Sequence, residues 1–200
     1  MAKERLKSPR ARLFVALDLP DSVRGAIAAW GGGQLADPAL RPVAETSLHI
    51  TLAFLGFLPE KRIPQIAEIV AGGGGPAPRI ELGQPVPRPP RGRPRLFALP
   101  AESPGTVAIQ AVLEEKLVEA GLYEPEKRPF WPHVTVARVR REERGSKRPA
   151  LVSSPPGALP GDLLQPFGGV RITLYRSQLQ PQGAQYTPLA QVELPGNGRQ

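Results

Sequence analysis

The sequence repeats one strand-like pattern, SLHITLAFLG at residues 47–56 and WPHVTVARVR at residues 131–140. In each copy a histidine is followed two positions later by a threonine, and apolar residues fill the positions between and after them. Because side chains of a β-strand alternate between its two faces, the histidine and the threonine share one face and the apolar residues occupy the other. Each copy therefore predicts a strand that is anchored in a core and displays an imidazole beside a hydroxyl.

Chance is a poor explanation of this repeat. His49 and His133 are the only histidines in 200 residues, and the chain has only six threonines, two of which are Thr51 and Thr135. Random placement would put a threonine two residues after both histidines in about one such sequence in a thousand. We therefore interpret both pairs as functional.

Strand-like and helix-like segments alternate along the rest of the chain. ARLFVALDLP at residues 11–20 has a strand pattern that Pro20 closes. DSVRGAIAAWGGG has a helix pattern that we expect Asp21 or Ser22 to cap and the three glycines to end. We expect the strand with the first histidine to end near Gly56. Further helix patterns cover residues 59–70 and 106–121, and further strand patterns cover residues 79–83, 95–100, 168–179 and 184–194.

The order of these segments indicates an α+β fold. No glycine-rich phosphate loop is present, and the second half partly echoes the first, since each contains a helix followed by a strand with the H-x-T pattern. This favours two similar antiparallel-sheet lobes with outer helices and a central cleft over a doubly wound sheet. We expect one domain over residues 11–195, with tails at residues 1–10 and 196–200.

Composition limits the partners and the chemistry. The net charge is +8, and arginine supplies 20 of the 26 basic residues, which suits polyanionic partners, although a coding bias toward arginine explains the charge equally well. The absence of cysteine excludes disulfides and thiolate nucleophiles, and two histidines are too few for a typical zinc site, so we expect no metal and no cofactor. No apolar run reaches about 18 residues and no signal-peptide pattern is present, so we expect a cytoplasmic monomer that does not contact membranes.

Two histidines without a third partner suit acid–base chemistry. Near neutral pH one imidazole can act as general base and the other as general acid. In-line displacement at phosphorus needs these two groups on opposite sides of the phosphate, while hydroxyls such as Thr51 and Thr135 can bind its non-bridging oxygens. A serine nucleophile fits less well because the chain has no G-x-S-x-G motif.

Four stretches together resemble a known family: RLFVALDLP, SLHITLAFLG, RPFWPHVTVARVR and ITLYRSQLQPQGAQYTPLAQVEL. They are similar to the two-histidine phosphoesterase superfamily, and within it to the RNA 2′,3′-cyclic phosphodiesterases, also called the 2′-5′ RNA ligase family. The resemblance implies a bilobal fold and metal-independent hydrolysis of a terminal 2′,3′-cyclic phosphate to a 2′-phosphomonoester, with reversible 2′-5′ RNA ligation. It further implies that His49 is the proton donor and His133 the acceptor, a direction that the near-symmetric motifs do not themselves fix.

The resemblance also implies substrate contacts five residues after each histidine. Phe54 would stack on a base and Arg138 would reach phosphate or base, although strict alternation puts both on the opposite face from the histidine unless each strand contains a bulge. Phe130 and Trp131 are either base platforms or packing residues, and we expect packing. Tyr186 is expected to be structural. The arginines at 88, 91, 93 and 95 either guide an RNA backbone or lie in a solvated basic loop, and we expect the solvated loop.

Two alternatives stay open. The first is a cyclic phosphodiesterase acting on small nucleotides such as ADP-ribose cyclic phosphate. The second is a non-catalytic module in which a basic cleft binds RNA ends. Both use the same positive charge, so assays of turnover are needed to separate them from hydrolysis of RNA ends.

Overall fold

The computed structural model describes residues 9–180 and 183–196. The strands are β1 (Arg10–Asp18), β2 (Leu40–Pro42), β3 (His49–Pro59), β4 (Arg79–Leu82), β5 (Val86–Arg88), β6 (Leu96–Glu102), β7 (His133–Val139), β8 (Phe167–Gly168), β9 (Arg171–Gln180) and β10 (Gly183–Glu193), and the helices are α1 (Asp21–Gln34), α2 (Ile63–Ala71) and α3 (Pro104–Glu119). Most of the predicted tails at residues 1–10 and 196–200 lies outside the described residues. Within the described ranges, no helix is long and apolar enough to cross a membrane.

The strands form one antiparallel sheet with the order β10-β9-β1-β3-β7-β6-β4-β8, and β2 and β5 pair with β7 and β6. Its two halves are the predicted lobes. The first lobe consists of β1, β3, β9 and β10, so it combines strands from the first and the last parts of the chain. The second lobe consists of β2 and β4 to β8. The α+β class and the bilobal antiparallel architecture are thus as the sequence predicts.

The two lobes meet at the repeated motifs. Among the described strands, β3 and β7 join the lobes through a single register pair, Ile50 opposite Val134. Both residues are completely buried and belong to one continuous hydrophobic core. Since each follows its histidine directly, the apolar halves of the motifs fix the lobes to each other and bring His49 and His133 to the same junction.

The helices cover the outer side of the sheet. The α2 helix packs on β9, β10 and α3, and α3 also packs on β3 and β4. The α3 helix begins at Pro104 because the Ser103 hydroxyl accepts the backbone N–H of Thr106 at 3.1 Å. Gly121, the last residue of the predicted helix pattern, has a φ of 64° and follows the end of the helix.

The predicted ends of α1 are wrong. Pro20, not Asp21 or Ser22, occupies the N-cap position, and the helix continues through the three glycines to Gln34. Ile27 and Gly31 are the buried residues of this helix, and a side chain at Gly31 would come within 3.1 Å of Leu35. Tertiary packing therefore outweighs a glycine helix penalty of about 1 kcal/mol per residue.

Candidate active site

Both motif strands contain the bulge that their site residues require. In β3, Ala16 of β1 faces Thr51 while Val15 faces Ala53, so the strand has one extra residue at position 52. In β7, Ala98 of β6 faces Thr135 while Phe97 faces Ala137, so position 136 is the extra residue. Each bulge returns the fifth residue after the histidine to the face of the histidine and the threonine.

The six predicted site residues therefore line one cleft between the lobes. Its volume is about 1250 Å³, and its lining includes His49, Thr51, Phe54, His133, Thr135 and Arg138. The histidines and threonines are partly buried, whereas Phe54 has 52% of its surface exposed. The structure brings all six together, and it places one H-x-T motif on each lobe.

Both imidazoles are oriented by the same kind of hydrogen bond to the backbone. The Nδ1 atom of His49 is 2.8 Å from the carbonyl oxygen of Ser47, and that of His133 is 2.8 Å from the carbonyl oxygen of Trp131. A carbonyl only accepts, so Nδ1 carries the proton in both rings and Nε2 is left for proton transfer. The Nε2 of His49 lies 3.1 Å from Thr51 Oγ1, which links the imidazole to the hydroxyl that shares its face.

Aromatic rings hold each imidazole in place. Phe14 stacks on His49 at 5.1 Å between ring centroids, and Tyr186 meets the same imidazole edge-on at 5.5 Å. On the other lobe Trp131 stacks on His133 at 4.3 Å with an interplanar angle of 14°. Tyr186 and Trp131 thus contact the two histidines directly, beyond the general structural and packing roles expected of them.

Phe130, Arg88 and Arg93 do not contact the two histidines in this way. Phe130 packs against the core. The expectation of a solvated loop is wrong for Arg88, which ends β5 and is half-buried. Its guanidinium lies 3.7 Å from the centroid of the Trp131 ring, on which it makes a cation–π contact. Arg93 is engaged in an ion pair with Glu142 at 2.7 Å.

A buried carboxylate that the H-x-T motifs do not predict, Asp18, lies beside His49. Asp18 lies opposite His49 in the β1–β3 register. It accepts hydrogen bonds from Arg171 Nε at 2.9 Å, Thr173 Oγ1 at 2.8 Å and the Tyr175 hydroxyl at 2.9 Å. Burial, followed by the negative charge of Asp18, raises the pKa of Tyr175 to about 12, so the phenol keeps its proton and donates it. The sequence signal for this buried carboxylate was Asp18 itself, an acidic residue that interrupts the apolar run RLFVALDL.

Both histidines are less basic than usual. Burial lowers the pKa of His49 to about 4, and the nearby Asp18 carboxylate only partly opposes this effect. Burial also lowers the pKa of His133, and the positive charges of Arg88 and Arg138 lower it further. In the free protein at neutral pH both rings are therefore neutral, and a bound anion would favour protonation of either one.

The charged side chains that line the cleft favour an anion. The charged side chains in its lining, other than the histidines, are Arg12, Arg41 and Arg138, and within the described ranges no carboxylate joins them. Arg41 and Arg138 face each other in the β2–β7 register on the second lobe, whereas Arg12 lies on the first. Within residues 9–180 and 183–196, no three His, Cys, Asp or Glu side chains are grouped as metal ligands would be.

The fold and the site together define a class, the bilobal α+β proteins of the two-histidine phosphoesterase type. The sequence model of the 2′-5′ RNA ligase superfamily matches residues 19–158, and the chain belongs to that superfamily.

Similar proteins and structures match most of the chain. An RNA 2′,3′-cyclic phosphodiesterase of Thermus thermophilus is 33% identical over 198 residues, covering 94% of this chain and 93% of the relative. The Escherichia coli RNA 2′,3′-cyclic phosphodiesterase is 31% identical over 183 residues, covering 89% of this chain and 93% of the relative. The crystal structure of Escherichia coli LigT complexed with 3′-AMP superimposes with a TM-score of 0.72 at 28% identity, covering 93% of this chain and 99% of the other.

Proposed function

We propose that this protein is an RNA 2′,3′-cyclic phosphodiesterase that opens the terminal cyclic phosphate to a 2′-phosphomonoester by acid–base catalysis with His49 and His133. One observation carries the proposal. Two H-x-T motifs, one on each lobe, are joined through Ile50 and Val134 and open onto a common cleft with both imidazoles oriented alike. The names of the two relatives, both RNA 2′,3′-cyclic phosphodiesterases, agree with this activity.

The geometry suggests a mechanism with two proton transfers. His133 accepts a proton from water at Nε2 as the water oxygen forms a bond to phosphorus. His49 donates a proton from Nε2 to the 3′ oxygen as the bond between phosphorus and that oxygen breaks, which leaves a 2′-phosphomonoester. If an RNA 5′-hydroxyl replaces water, the same transfers form a 2′-5′ linkage.

The proposed mechanism assigns electrostatic roles to the remaining site residues. Hydroxyl donors Thr51 and Thr135 hydrogen-bond the non-bridging oxygens, where charge accumulates in the transition state. Arg138 neutralises the phosphate, and Phe54, half exposed in the cleft, stacks on the terminal base. The phosphate anion beside His49 raises the pKa of the imidazole, so that the acid becomes protonated when substrate is bound.

The assay of choice uses a 2′,3′-cyclic mononucleotide and a cyclic-phosphate-ended oligoribonucleotide, both in EDTA. We expect turnover in EDTA, and we expect His49→Ala and His133→Ala each to lower kcat by about 10²- to 10⁴-fold, the range typical of a lost general acid or base. Circular dichroism of both variants checks that they are folded. Loss of activity in EDTA would contradict the metal-free mechanism, and full activity of either variant would contradict the assignment of the histidines.

The same assay separates the alternatives. A cyclic phosphodiesterase for small nucleotides would turn over ADP-ribose cyclic phosphate faster than RNA ends. Adding ADP-ribose cyclic phosphate to the assay as a third substrate measures this difference. A non-catalytic module would bind RNA ends in a salt-sensitive manner without turnover.

We further propose that residues 11–195 form one catalytic domain and that the protein works as a cytoplasmic monomer. Limited proteolysis and light scattering test the domain and the monomer, and fractionation of cells tests the location.

A further inference from the structure

Beyond the catalytic residues, the cleft surface of the first lobe continues along β1. On the face shared with His49, successive positions of β1 are Ala16, Phe14 and Arg12, and Ala16 faces Thr51. Arg12 therefore lies about 13 Å along the strand from the level of Thr51, at about 3.3 Å per residue. It lines the same cleft but sits at the end remote from the histidines.

Arg12 is available to bind an anion. Its Nη1 donates to the hydroxyl of Ser177 at 3.1 Å, and it makes no ion pair with any residue in the described ranges. On the same face of this lobe Asp18 and Glu193 lie at the opposite end, where Arg171 binds both. No carboxylate within the described part of the cleft lining competes for the guanidinium.

Exposed apolar side chains flank Arg12. Phe57 lies directly opposite Arg12 in the β1–β3 register, so the two side chains share a face, and 60% of Phe57 is exposed. Leu179 on β9 lines the same end of the cleft and is 75% exposed. Single exposed apolar residues are ordinary, but here they adjoin an arginine without an ion pair and continue from the half-exposed Phe54.

Arginine interleaved with exposed aromatic rings is the arrangement that binds single-stranded nucleic acid. The guanidinium binds a backbone phosphate, and the rings stack on bases of any sequence. We propose that Arg12, Phe57 and Leu179, which we name the outer track, bind the nucleotides that precede the cyclic-phosphate end of an RNA strand. This inference rests on the proposed function and deepens it, because it makes an oligoribonucleotide, not a mononucleotide, the preferred substrate.

The track places the RNA in one direction. The terminal cyclic phosphate lies between His49 and His133, the terminal base lies at Phe54, and the preceding base and its phosphodiester lie at Phe57 and Arg12. The hydroxyl of Ser177 orients the guanidinium. The track contributes binding energy away from the reacting phosphorus, so its loss is expected to raise KM for an oligonucleotide more than it lowers kcat.

The test compares kcat/KM for a 2′,3′-cyclic mononucleotide and for a tetranucleotide that ends in the same cyclic nucleotide. The wild-type protein is expected to prefer the tetranucleotide, and the preference is expected to shrink as salt rises. Arg12→Ala and Phe57→Ala are each expected to reduce the ratio of the two kcat/KM values about tenfold, mainly through KM. The matched controls Arg62→Ala and Val112→Ala remove an arginine and an exposed apolar side chain from helical regions outside the cleft lining.

The outcomes distinguish the track from the proposed function. If neither substrate is turned over by wild-type protein, the proposed function fails. If both are turned over but the ratio is the same in wild type, Arg12→Ala and Phe57→Ala, the outer track is refuted while the proposed function stands. An equal fall of the ratio in Arg62→Ala or Val112→Ala would also refute the track, because the effect would then be a general one of charge or hydrophobicity.

Discussion

The histidines illustrate how single residues in this site are prepared for proton transfer. Each Nδ1–H donates to a carbonyl two residues earlier in the chain, which leaves each Nε2 as the atom that exchanges protons, with that of His49 3.1 Å from Thr51 Oγ1. A ring stacks on each imidazole, Phe14 on one lobe and Trp131 on the other. Burial of both rings lowers their pKa values, which keeps them neutral until an anion arrives.

The titration of His49 tests this view. Burial lowers the pKa of His49 in the free protein to about 4, and inorganic phosphate in the cleft is expected to raise that pKa by about one to three units. Since the chain has only two histidines, NMR of the His133→Gln variant reports His49 without ambiguity. A pKa near the ordinary 6.5 that phosphate does not move would contradict the account.

The same pKa shift affects stability. An unfolded chain protonates this histidine near pH 6.5, whereas the folded chain does so near pH 4. The unfolded state therefore binds more protons between these values, so the contribution of His49 to stability is present above pH 6.5 and is lost as pH falls toward 4.

At the scale of elements, the bulges and the junction between β3 and β7 determine the site. The sequence predicts the two motif strands, their buried faces and the sharing of one face by each histidine and threonine. It shows only that Phe54 and Arg138 need a bulge, because whether a strand bulges depends on the pairing of β1 and β6 with it. The extension of α1 through three glycines was likewise unpredictable from local propensity, because packing of Ile27 and Gly31 decides it.

The junction gives a prediction on stability and activity together. Ile50→Val should reduce the free energy of unfolding by about 1 kcal/mol, as usual for one buried methylene, and should also lower kcat because the lobes carry one histidine each. Ile80→Val is the control, since Ile80 is equally buried in β4, away from the junction. Urea unfolding and steady-state kinetics measure both effects. Equal kcat values in the two variants would contradict a role for the junction in spacing the histidines.

At the scale of the whole molecule, the two lobes enclose a cleft lined by Arg12, Arg41 and Arg138. These arginines contribute to the net charge of +8, which favours a polyanion. The pseudo-repeat of the motifs predicts the two lobes, but not that both ends of the chain combine in the first lobe. Local sequence patterns could not predict this combination of strands, because it depends on β1 lying between β3 and β9 in the sheet. It is this arrangement that brings Arg12, Ser177 and Leu179 to one end of the cleft, far from the H-x-T motifs in sequence.

In the proposed reaction His133 takes a proton from the attacking water while His49 protonates the 3′ oxygen of the 2′,3′-cyclic phosphate. Phosphorus NMR of a 2′,3′-cyclic mononucleotide incubated with the protein in EDTA tests both assignments. We expect a 2′-phosphomonoester as the product, formed by the wild type and lost in both His49→Ala and His133→Ala. A 3′-phosphomonoester, or no turnover of either the mononucleotide or an RNA end, would contradict it.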